Sequence, residues 1–497
     1  AFRLTRNLRG GPAHAAVVSS AMFGTISGGP IVNVLSTGVL TIPMMLKRGF
    51  SKTFAGGVEA AASSGGSIMP PVMGVAAFVL AALTAVPYAS VIMAAIIPAV
   101  AYFFCLFLSV VFQSRKQNIQ AIGMITEEMR LEFQDALNLI MVLAPIVLIL
   151  FLLLTDKGSV GCGLWSGMMG AERIITPNGC DVQSLPWILQ LLQNAAGDAG
   201  SAGWFAVMLL IFLLFLDPEV RARPKKIVDG LSGAGVLIST LYLMFLTVSI
   251  IDFCLNFTGL PVFLSLDVLA WLNELNLGST GPFMMQFTAL VLTMMIAVLL
   301  GMGMPAVPAY INVALLMGPV LAGLGLGTFT AHMFIFYFAV ASAITPPVAL
   351  AAFAASTITK ASPMGTAVAA VKSGIVIFAI PFVFAFYPEI LLIEEARIAS
   401  TDIAGIGKTS FLTGYSKTID LQNLALLLFR LAIALYLVSS CLARYDLSPI
   451  GFFEISLRLG IAVFLLFKAP VVFCSAIVAA IILLALHRFR HSSKLMQ

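Results

Sequence analysis

The sequence predicts an all-α polytopic membrane protein with an inverted repeat, in which two re-entrant helical hairpins accompany two broken helices. Of its 497 residues, 60% are hydrophobic and only 10% are charged, whereas soluble proteins average roughly 25% charged residues. Five nearly uncharged stretches approach the roughly 17–25 residues that a helix needs to cross a bilayer: residues 89–112, 136–154, 203–216, 365–388 and 469–486. Too few polar residues remain to cover a soluble core of this size, which excludes most soluble enzymes, disordered proteins and nucleic-acid binders.

The positions of the basic residues predict the topology, because Lys and Arg gather in cytoplasmic loops. Basic groups that we assign to the cytoplasm lie at residues 3–9, 47–52, 115–116, 221–226, 360, 444 and 488–494. Between Lys226 and Lys360 there is no Lys or Arg. Residues 11–46 then have both ends inside, and residues 283–324 have both ends outside. Each segment must enter the membrane and return, from opposite faces, and irregular backbone at that depth survives only where it lines a protein cavity.

The same reasoning divides the chain into five parts. They are a first repeat over 1–112, with hairpin 11–46 and broken helix 54–87; connecting and scaffold spans over 113–282, with an external loop at 155–185; a second repeat over 283–388, with hairpin 283–324 and broken helix 331–358; an external loop at 389–420; and C-terminal extra spans with a basic tail over 421–497. Single spans are predicted near 189–216 and 449–467. Cys162 and Cys180 share the first external loop and could pair if it faces an oxidising compartment.

Two motifs recur in the two repeats. The hairpin tips read GTISGGP from Gly24 and GMGMPAVP from Gly301, and each is followed by an asparagine, Asn33 or Asn312. The broken helices read ASSGGSIMPPV and ASAITPPV, with the Pro-Pro pair 37 residues after the asparagine in the first copy and 34 in the second. A helix cannot pass intact through a Pro-Pro pair, because two backbone donors are missing and the preceding residue is restricted.

These breaks predict binding sites. They free carbonyl groups at Gly65 to Ile68 and at Ala343 to Thr345, each of which would cost several kcal/mol in lipid unless something coordinates it. A dehydrated cation meets that need, and nearby hydroxyls could complete its coordination: Ser27, Ser64, Ser67 and Thr345. The helix N-termini at the tips carry positive partial charge and free N–H groups, which suit an anion. Such paired discontinuous helices are typical of secondary transporters, and the alternative interpretation is that these small residues only form close-packed interfaces.

Four stretches in this order resemble the large membrane subunit of the tripartite ATP-independent periplasmic (TRAP) transporters, above all its fused, TAXI-associated branch: GTISGGPIVNVLSTGVLTIPMMLKRGF, VEAAASSGGSIMPPVMGVAAF, GMGMPAVPAYI and FYFAVASAITPPVALAAFAAS. The similarity spans about residues 8–390, with a gap over 155–200. It implies an elevator-type ion transporter fold in a bacterial or archaeal inner membrane, with no enzymatic activity. It implies sodium-coupled import of small organic anions, commonly carboxylates, delivered by a periplasmic TAXI-type solute-binding protein. The chain begins at Ala1 without a methionine, and the resemblance implies that a missing N-terminal part holds further spans.

Carried over position by position, the resemblance implies two sodium sites and one substrate site. The first sodium site would comprise Ser27, Gly28, Asn33, Ser64, Gly65, Gly66 and Ser67. The second would comprise Gly303, Met304, Pro305, Ala343, Ile344 and Thr345. The substrate would lie near Ser27, Asn33, Pro305 and Asn312. This chain departs from the family at both tips, where Gly29 replaces a serine and Ala306 and Val307 replace two threonines, so that hydroxyls are lost.

Two residues carry alternative hypotheses. Glu59 lies one turn before the first break, and it is either a functional acid within the membrane or a residue that reaches the cytoplasmic interface. As a proton carrier, Glu59 would make the chain a proton-coupled carrier. Ser27 would instead be the nucleophile of an intramembrane hydrolase if His332 served as its base.

Overall fold

The computed structural model describes residues 2–121, 123, 133–155, 157, 160, 172–176, 179–184, 186–274, 282–392, 396–398, 411–413 and 420–496. The chain forms two compact units, one of residues 1–84, 93–129 and 247–497 and the other of residues 85–92 and 130–246. Within the described ranges, eight helices are long and apolar enough to cross a membrane, and one bent pair would make a ninth span. The predicted all-helical, multi-pass membrane protein is therefore confirmed.

The first repeat opens with a short helix α1 (Phe2–Thr5) and the helices α2 (Gly11–Ser27) and α3 (Pro30–Lys47). Helix α2 ends because Gly28 adopts a left-handed conformation with a φ of 59°. Helix α3 begins at Pro30, whose fixed φ suits the first helical position. Asn33 Nδ2 donates a hydrogen bond of 2.8 Å to Ser20 O. This contact joins positions on either side of the turn, so α2 and α3 form an antiparallel hairpin.

The next helices are α4 (Lys52–Gly66), α5 (Val75–Thr84) and α6 (Tyr88–Lys116). Helix α4 is buried at every position from Phe54 to Gly66, although it carries many small residues. Because Ala, Gly and Ser leave room for close backbone approach, α4 can be surrounded on all sides. It is the centre of the first repeat.

The connecting region holds helix α7 (Phe133–Leu154), the strands β1 (Glu172–Thr176) and β2 (Gly179–Ser184), and helices α8 (Trp187–Ala195), α9 (Ala199–Leu214), α10 (Pro218–Ala222), α11 (Lys225–Thr258) and α12 (Leu260–Glu274). The strands pair antiparallel, a local addition to the predicted loop at 155–185. The hypothesis that Cys162 pairs with Cys180 concerns side chains outside the described residues.

The predicted span near 189–216 is not one continuous helix. Helices α8 and α9 are bent by 118° at a short break. Gly197 has a φ of 68°, which helix propagation does not allow, and Asp198 starts a new helix because its Oδ2 accepts a hydrogen bond of 2.7 Å from Ser201 N. Because the residues on both sides of this cap are apolar, the hydropathy pattern does not indicate the bend.

The second repeat contains helices α13 (Pro282–Gly301), α14 (Ala306–Gly323) and α15 (Thr328–Ala341), a 3₁₀ turn (Ser342–Ile344), helices α16 (Leu350–Thr359), α17 (Pro363–Ser373) and α18 (Val376–Phe386), and a second 3₁₀ turn (Pro388–Leu391). Like α4, helix α15 is buried along most of its length. The halves that follow the breaks exchange partners between the repeats: α5 packs against α14 and α15, and α16 packs against α3 and α4. This exchange holds the two repeats in one body.

The C-terminal region adds strands β3 (Ala396–Ile398) and β4 (Phe411–Thr413) and helices α19 (Leu421–Ala443), α20 (Phe452–Leu465) and α21 (Pro470–Met496). Helix α20 has 14 residues, about 21 Å at 1.5 Å per residue, which is less than a hydrocarbon core of about 30 Å. The helix is therefore shorter than the predicted span at 449–467. It begins after Gly451 and ends before a turn at Leu466.

Contacts at the two ends of the C-terminal helices agree with the predicted topology. At one end, Lys116 Nζ donates a hydrogen bond of 2.8 Å to Ala443 O, and Arg115 Nη1 lies 3.6 Å from Asp446 Oδ1. These residues belong to segments that the basic pattern places together in the cytoplasm. At the other end, Tyr387 Oη donates to Leu466 O at 2.7 Å, and both of these segments are predicted to be external.

Candidate functional site

The first break is stabilised by local backbone hydrogen bonds. Ile68 N donates to Gly65 O at 3.1 Å, Met69 N donates to Gly66 O at 3.2 Å, and Gly74 N donates to Ser67 O at 3.0 Å. The expectation that the break leaves these three carbonyls without any partner is therefore wrong. Each carbonyl oxygen still has a second lone pair, and that lone pair is what remains for a cation.

The first hairpin tip contacts this break directly. Ser67 Oγ donates a hydrogen bond of 3.0 Å to Gly28 O. A Cβ atom on Gly28 would lie 2.8 Å from Gly74 Cα, and the left-handed backbone at Gly28 also disfavours a side chain. Two predicted site residues, Gly28 and Ser67, are thus brought together, and glycine at 28 is required by both space and conformation.

Asn33 is placed between three helices. It is fully buried, its Nδ2 donates to Ser20 O at 2.8 Å and to Ser63 O at 3.4 Å, and its Oδ1 accepts from Thr37 Oγ1 at 3.2 Å. The side chain therefore ties α2 and α3 to α4, beside the predicted ligands of the first break. In this arrangement its amide protons are directed to protein carbonyls.

Three hydroxyl oxygens near the first tip and break are buried without a hydrogen-bond partner among the described residues: Ser27 Oγ, Ser63 Oγ and Ser64 Oγ. Leaving a buried polar atom unpaired costs about 1–3 kcal/mol, and a bound cation would remove that cost. Ser27 and Ser64 are predicted site residues. Ser63 was not among the predicted ligands, although its place in the ASSGG motif could have suggested it.

The second break follows a different local pattern. Thr345 Oγ1 donates to Ala341 O at 2.7 Å, and Thr345 N donates to Ser342 O at 3.2 Å. The Thr345 hydroxyl is therefore turned back onto its own helix. No hydrogen bond to the carbonyls of Ala343 and Ile344 is found within the part of the chain that the structure describes, so these carbonyls fit the predicted ligand role.

The second tip lies at the start of α14. Gly303 has a φ of 78°, Met304 N donates to Gly301 O at 3.3 Å, and Pro305 occupies the N-cap position. Asn312 Oδ1 is buried and has no hydrogen-bond partner among the described side chains and backbone. Unlike Asn33, this asparagine retains an acceptor that can still take part in binding.

One close approach at a helical glycine is repeated in the two copies. A Cβ atom on Gly24 would lie 2.3 Å from Gly66 Cα, and a Cβ atom on Gly301 would lie 2.7 Å from Ser342 Oγ. Gly301 follows Gly24 by 277 residues and Ser342 follows Gly66 by 276 residues. The end of each hairpin's first helix thus meets its broken helix at an equivalent point, and this places the two sites in comparable surroundings.

Glu59 is fully buried, so the interpretation that it reaches the cytoplasmic interface is wrong. Ser20 Oγ and Thr37 Oγ1 donate to its Oε1 at 2.7 and 2.6 Å, and Thr41 Oγ1 donates to its Oε2 at 2.5 Å. None of these three hydroxyls is among the predicted site residues. The four-residue spacing of Asn33, Thr37 and Thr41 along one face of the apolar helix α3 is the signal that could have found them.

The described residues do not form the serine–histidine pair of a hydrolase. The imidazole of His332 accepts or donates a hydrogen bond of 2.7 Å to Tyr310 Oη through Nδ1, and His14 stacks on Phe107 with ring centroids 5.0 Å apart. Neither histidine forms a hydrogen bond with Ser27. Ser27 therefore lacks the adjacent base that a serine nucleophile needs.

Sequence comparisons give the family. The model of the DctM component of tripartite ATP-independent periplasmic transporters matches residues 1–169 and 185–396, which is more than half of the chain and agrees with the resemblance. The chain is 32% identical over 111 residues to the C4-dicarboxylate TRAP transporter large permease protein DctM of Vibrio cholerae, covering 22% of this chain and 24% of that protein.

Two further relatives are similar over other short stretches. The isethionate TRAP transporter permease protein DctMQ of Oleidesulfovibrio alaskensis is 41% identical over 64 residues, covering 13% of this chain and 10% of that protein. An uncharacterized protein, y4mL, of Sinorhizobium fredii is 31% identical over 149 residues, covering 29% of this chain and 34% of that protein. Each match thus covers about a third or less of the relative's own length. From the family match, we conclude that the chain belongs to the DctM family of tripartite ATP-independent periplasmic transporter components, which are multi-pass transporters of the bacterial inner membrane and not enzymes.

Proposed function

We propose that this chain is the permease of a secondary transporter that imports small organic anions together with sodium and receives them from a periplasmic solute-binding protein of the TAXI type. The observation that carries this proposal is the buried group of unpaired oxygens at the first tip and break, Ser27 Oγ, Ser63 Oγ and Ser64 Oγ. In a chain of this family, such oxygens are suited to a cation that has lost its water.

Sodium at the first site would take hydroxyl and carbonyl oxygens. Within the described ranges, no group of three or more His, Cys, Asp or Glu side chains could hold a metal ion, so a softer or more highly charged ion is a poorer fit. Ser27 and Ser64 would supply hydroxyls, and Gly65 and Gly66 would supply the second lone pairs of their carbonyls. The second site would use the carbonyls of its own break, from Ala343 to Thr345, with the backbone of Gly303, Met304 and Pro305.

The substrate would be held by helix ends and amides. The N-termini of α3 and α14 follow the two tips, begin at Pro30 and Ala306, and present the positive end of the helix dipole. Asn312 would add its amide to this site. The names of two relatives, a C4-dicarboxylate transporter and an isethionate transporter, support a carboxylate or a similar small organic anion as the substrate class.

We also propose an elevator-type movement, which the exchange of partners between the repeats supports. Because α5 packs on the second repeat and α16 packs on the first, both hairpins would move as one body with the bound substrate. One sodium ion entering down a potential of 100 mV releases about 2.3 kcal/mol. Each negative charge of the anion costs the same amount to bring in, so two such ions leave about 2.3 kcal/mol for a monovalent anion, a concentration ratio of about 40 before the sodium concentration gradient is added.

The test is uptake into liposomes that contain the permease with its partner subunits and the cognate binding protein. Labelled succinate and isethionate are supplied with and without an inward sodium gradient. We expect uptake that requires both sodium and the binding protein. Ser27→Ala is expected to raise the sodium concentration for half-maximal uptake by about tenfold, the equivalent of about 1.4 kcal/mol.

Ser19→Ala is the matched control, because the Ser19 hydroxyl lies on the same helix and bonds only its own backbone, Ala16 O, at 3.1 Å. It should leave the sodium dependence unchanged. Equal effects of the two substitutions would contradict the first sodium site. Uptake that ignores sodium altogether would contradict the coupling ion, and uptake without the binding protein would contradict the tripartite arrangement.

A further inference from the structure

Glu59 and the hydroxyls around it form a closed polar cluster in the first repeat. The carboxylate on α4 is enclosed by Ser20 from α2 and by Thr37 and Thr41 from α3, at 2.5–2.7 Å. No described Lys, Arg or His forms an ion pair with it. An ionised carboxylate buried without a cation costs several kcal/mol, so a cluster of this kind needs a reason to persist.

The second repeat shows that the fold itself does not need this cluster. The repeated close approach at Gly24 and Gly301 and the paired asparagines relate α2 to α13, α3 to α14, and α4 to α15 by 277, 279 and 276 residues. With these offsets, the positions in the second repeat that correspond to Ser20, Thr37, Thr41 and Glu59 are all apolar. They are Ala297, Leu316, Val320 and Ile335. Ala297, Val320 and Ile335 are fully buried. The same architecture is thus built in the second copy without a polar side chain at any of these four positions.

The arrangement suits a proton better than a metal ion. The hydroxyl oxygens lie at direct hydrogen-bond distance from the carboxylate, which leaves no space for an ion between them. A hydroxyl can both donate and accept. Thr37 Oγ1 also lies 2.8 Å from Asn33 O, and Thr41 Oγ1 lies 3.0 Å from Thr37 O. Both hydroxyls can therefore turn to their own helix when Glu59 is neutral and return when it is ionised.

The titratable or charged side chains on the helices around α4, and on α4 itself, are directed elsewhere. They are His14 on α2, Lys47 on α3, Lys52 on α4, Tyr88, Tyr102, Cys105, Arg115 and Lys116 on α6, His332 and Tyr337 on α15, Lys360 after α16, and Lys372 on α17. None of them forms a hydrogen bond or ion pair with Glu59; Tyr102, for example, donates to Ala61 O at 2.7 Å. The charge of Glu59 is therefore governed by the three hydroxyls and by the proton.

We propose that Glu59, Ser20, Thr37 and Thr41 form a proton-binding site in the first hairpin. The carboxylate takes one proton to become a carboxylic acid and gives the same proton back to water. Thr37 is half-buried and provides the route by which the proton reaches the carboxylate. Its hydroxyl also bonds Asn33, which holds α2 and α3 against α4, so the protonation state acts on the packing of the hairpin. That the proton is carried together with substrate rests on the proposed transport function.

Proton binding is tested without any substrate, by infrared difference spectroscopy of the complete transporter in lipid between neutral and alkaline pH. We expect a carbonyl stretch from a buried protonated carboxyl group in the wild type and its loss in Glu59→Gln. Thr41→Val keeps the carboxyl group and should shift this band. Thr293→Val is the matched control, because the buried Thr293 hydroxyl bonds only its own helix, at Ala289 O, and it should leave the band unchanged.

A band that persists in Glu59→Gln, or a wild type that shows no such band at any pH, would overturn the proton site. Coupling is tested separately with labelled succinate in liposomes. Glu59→Gln should lose the response of uptake to an inward proton gradient while succinate exchange across the membrane continues. If the band is found but no anion is taken up, the proposed function fails and the proton site stands; if uptake responds equally to protons in both proteins, the coupling role of Glu59 is overturned.

Discussion

Gly24→Ala tests the contact on which the first hairpin depends. The new Cβ atom would lie 2.3 Å from Gly66 Cα and 2.9 Å from Asn33 Nδ2, whereas carbon atoms in contact need about 3.5–4.0 Å. Helices α2 and α4 would have to separate by about 1 Å at this point. Because Asn33 Nδ2 already lies 3.4 Å from Ser63 O, that separation would break this hydrogen bond.

The expected cost follows from these changes. Overpacking of this kind costs about 1–3 kcal/mol, and the lost hydrogen bond adds about 0.5–1.5 kcal/mol. The higher helix propensity of alanine offsets about 1 kcal/mol of this loss. We therefore expect a net loss of roughly 0.5–3.5 kcal/mol in the free energy of unfolding, together with reduced transport.

The measurement is thermal or denaturant unfolding of the purified permease in detergent, followed by uptake in liposomes. Gly203→Ala is the matched control, because Gly203 is also helical and a Cβ atom there would meet nothing within 4 Å. It should be neutral or slightly stabilising. If Gly24→Ala were as stable as Gly203→Ala, the close approach of α2 and α4 could not be what holds the first hairpin in place.

Two further predictions concern the C-terminal helices. Arg458 is fully buried between Asp446 Oδ2 at 3.1 Å and Glu454 Oε1 at 2.7 Å. Arg458→Met should cost about 3 kcal/mol, the lower end for a broken buried pair, because Asp446 keeps Arg115 at 3.6 Å and Glu454 keeps His487 at 2.9 Å; unfolding in detergent measures this loss. Tyr387→Phe removes the hydrogen bond of 2.7 Å to Leu466 O and should cost about 0.5–1.5 kcal/mol in the same assay.

Controls for both come from exposed positions. Arg444→Met removes a charge close to the same cluster, yet Arg444 forms no ion pair within the described part of the chain, so a small change is expected. Tyr242→Phe removes an exposed hydroxyl and should be neutral. A loss for Arg458→Met no greater than for Arg444→Met would mean that the buried charges do not hold α19 and α20 together.

Much of the candidate site could be read from local sequence. The Gly-rich tips, the Pro-Pro pairs and the spacing from asparagine to proline place the chain breaks within a few residues of where they are found. The reason is that proline and glycine restrict the backbone locally, whatever surrounds them. The basic residues likewise predict that residues 115–116 and 443–446 share one side of the membrane, and the structure brings them into contact.

The burial of Glu59 could not be predicted in this way. Its distance from the start of α4 allowed either a buried or an interfacial carboxyl group, and the hydroxyls that enclose it come from two other helices. The same holds for Asn33, whose amide protons bond to carbonyls of α2 and α4. Helix periodicity shows which residues share a face, but it does not show which helix that face will meet.

The sequence by itself determined that the chain lies in a membrane, where its helices break, and that it contains a repeat. The reason is that composition, basic residues and backbone-restricting residues act over short distances. Tertiary packing decided that α4 is enclosed on all sides, that α5 and α16 exchange partners, and that hydroxyls from α2 and α3 surround Glu59. The physical reason is that a buried carboxylate persists only where several elements supply donors at once. The closeness of α2 and α4, set by Gly24 and Gly66, lets α2 and α3 provide those donors around Glu59.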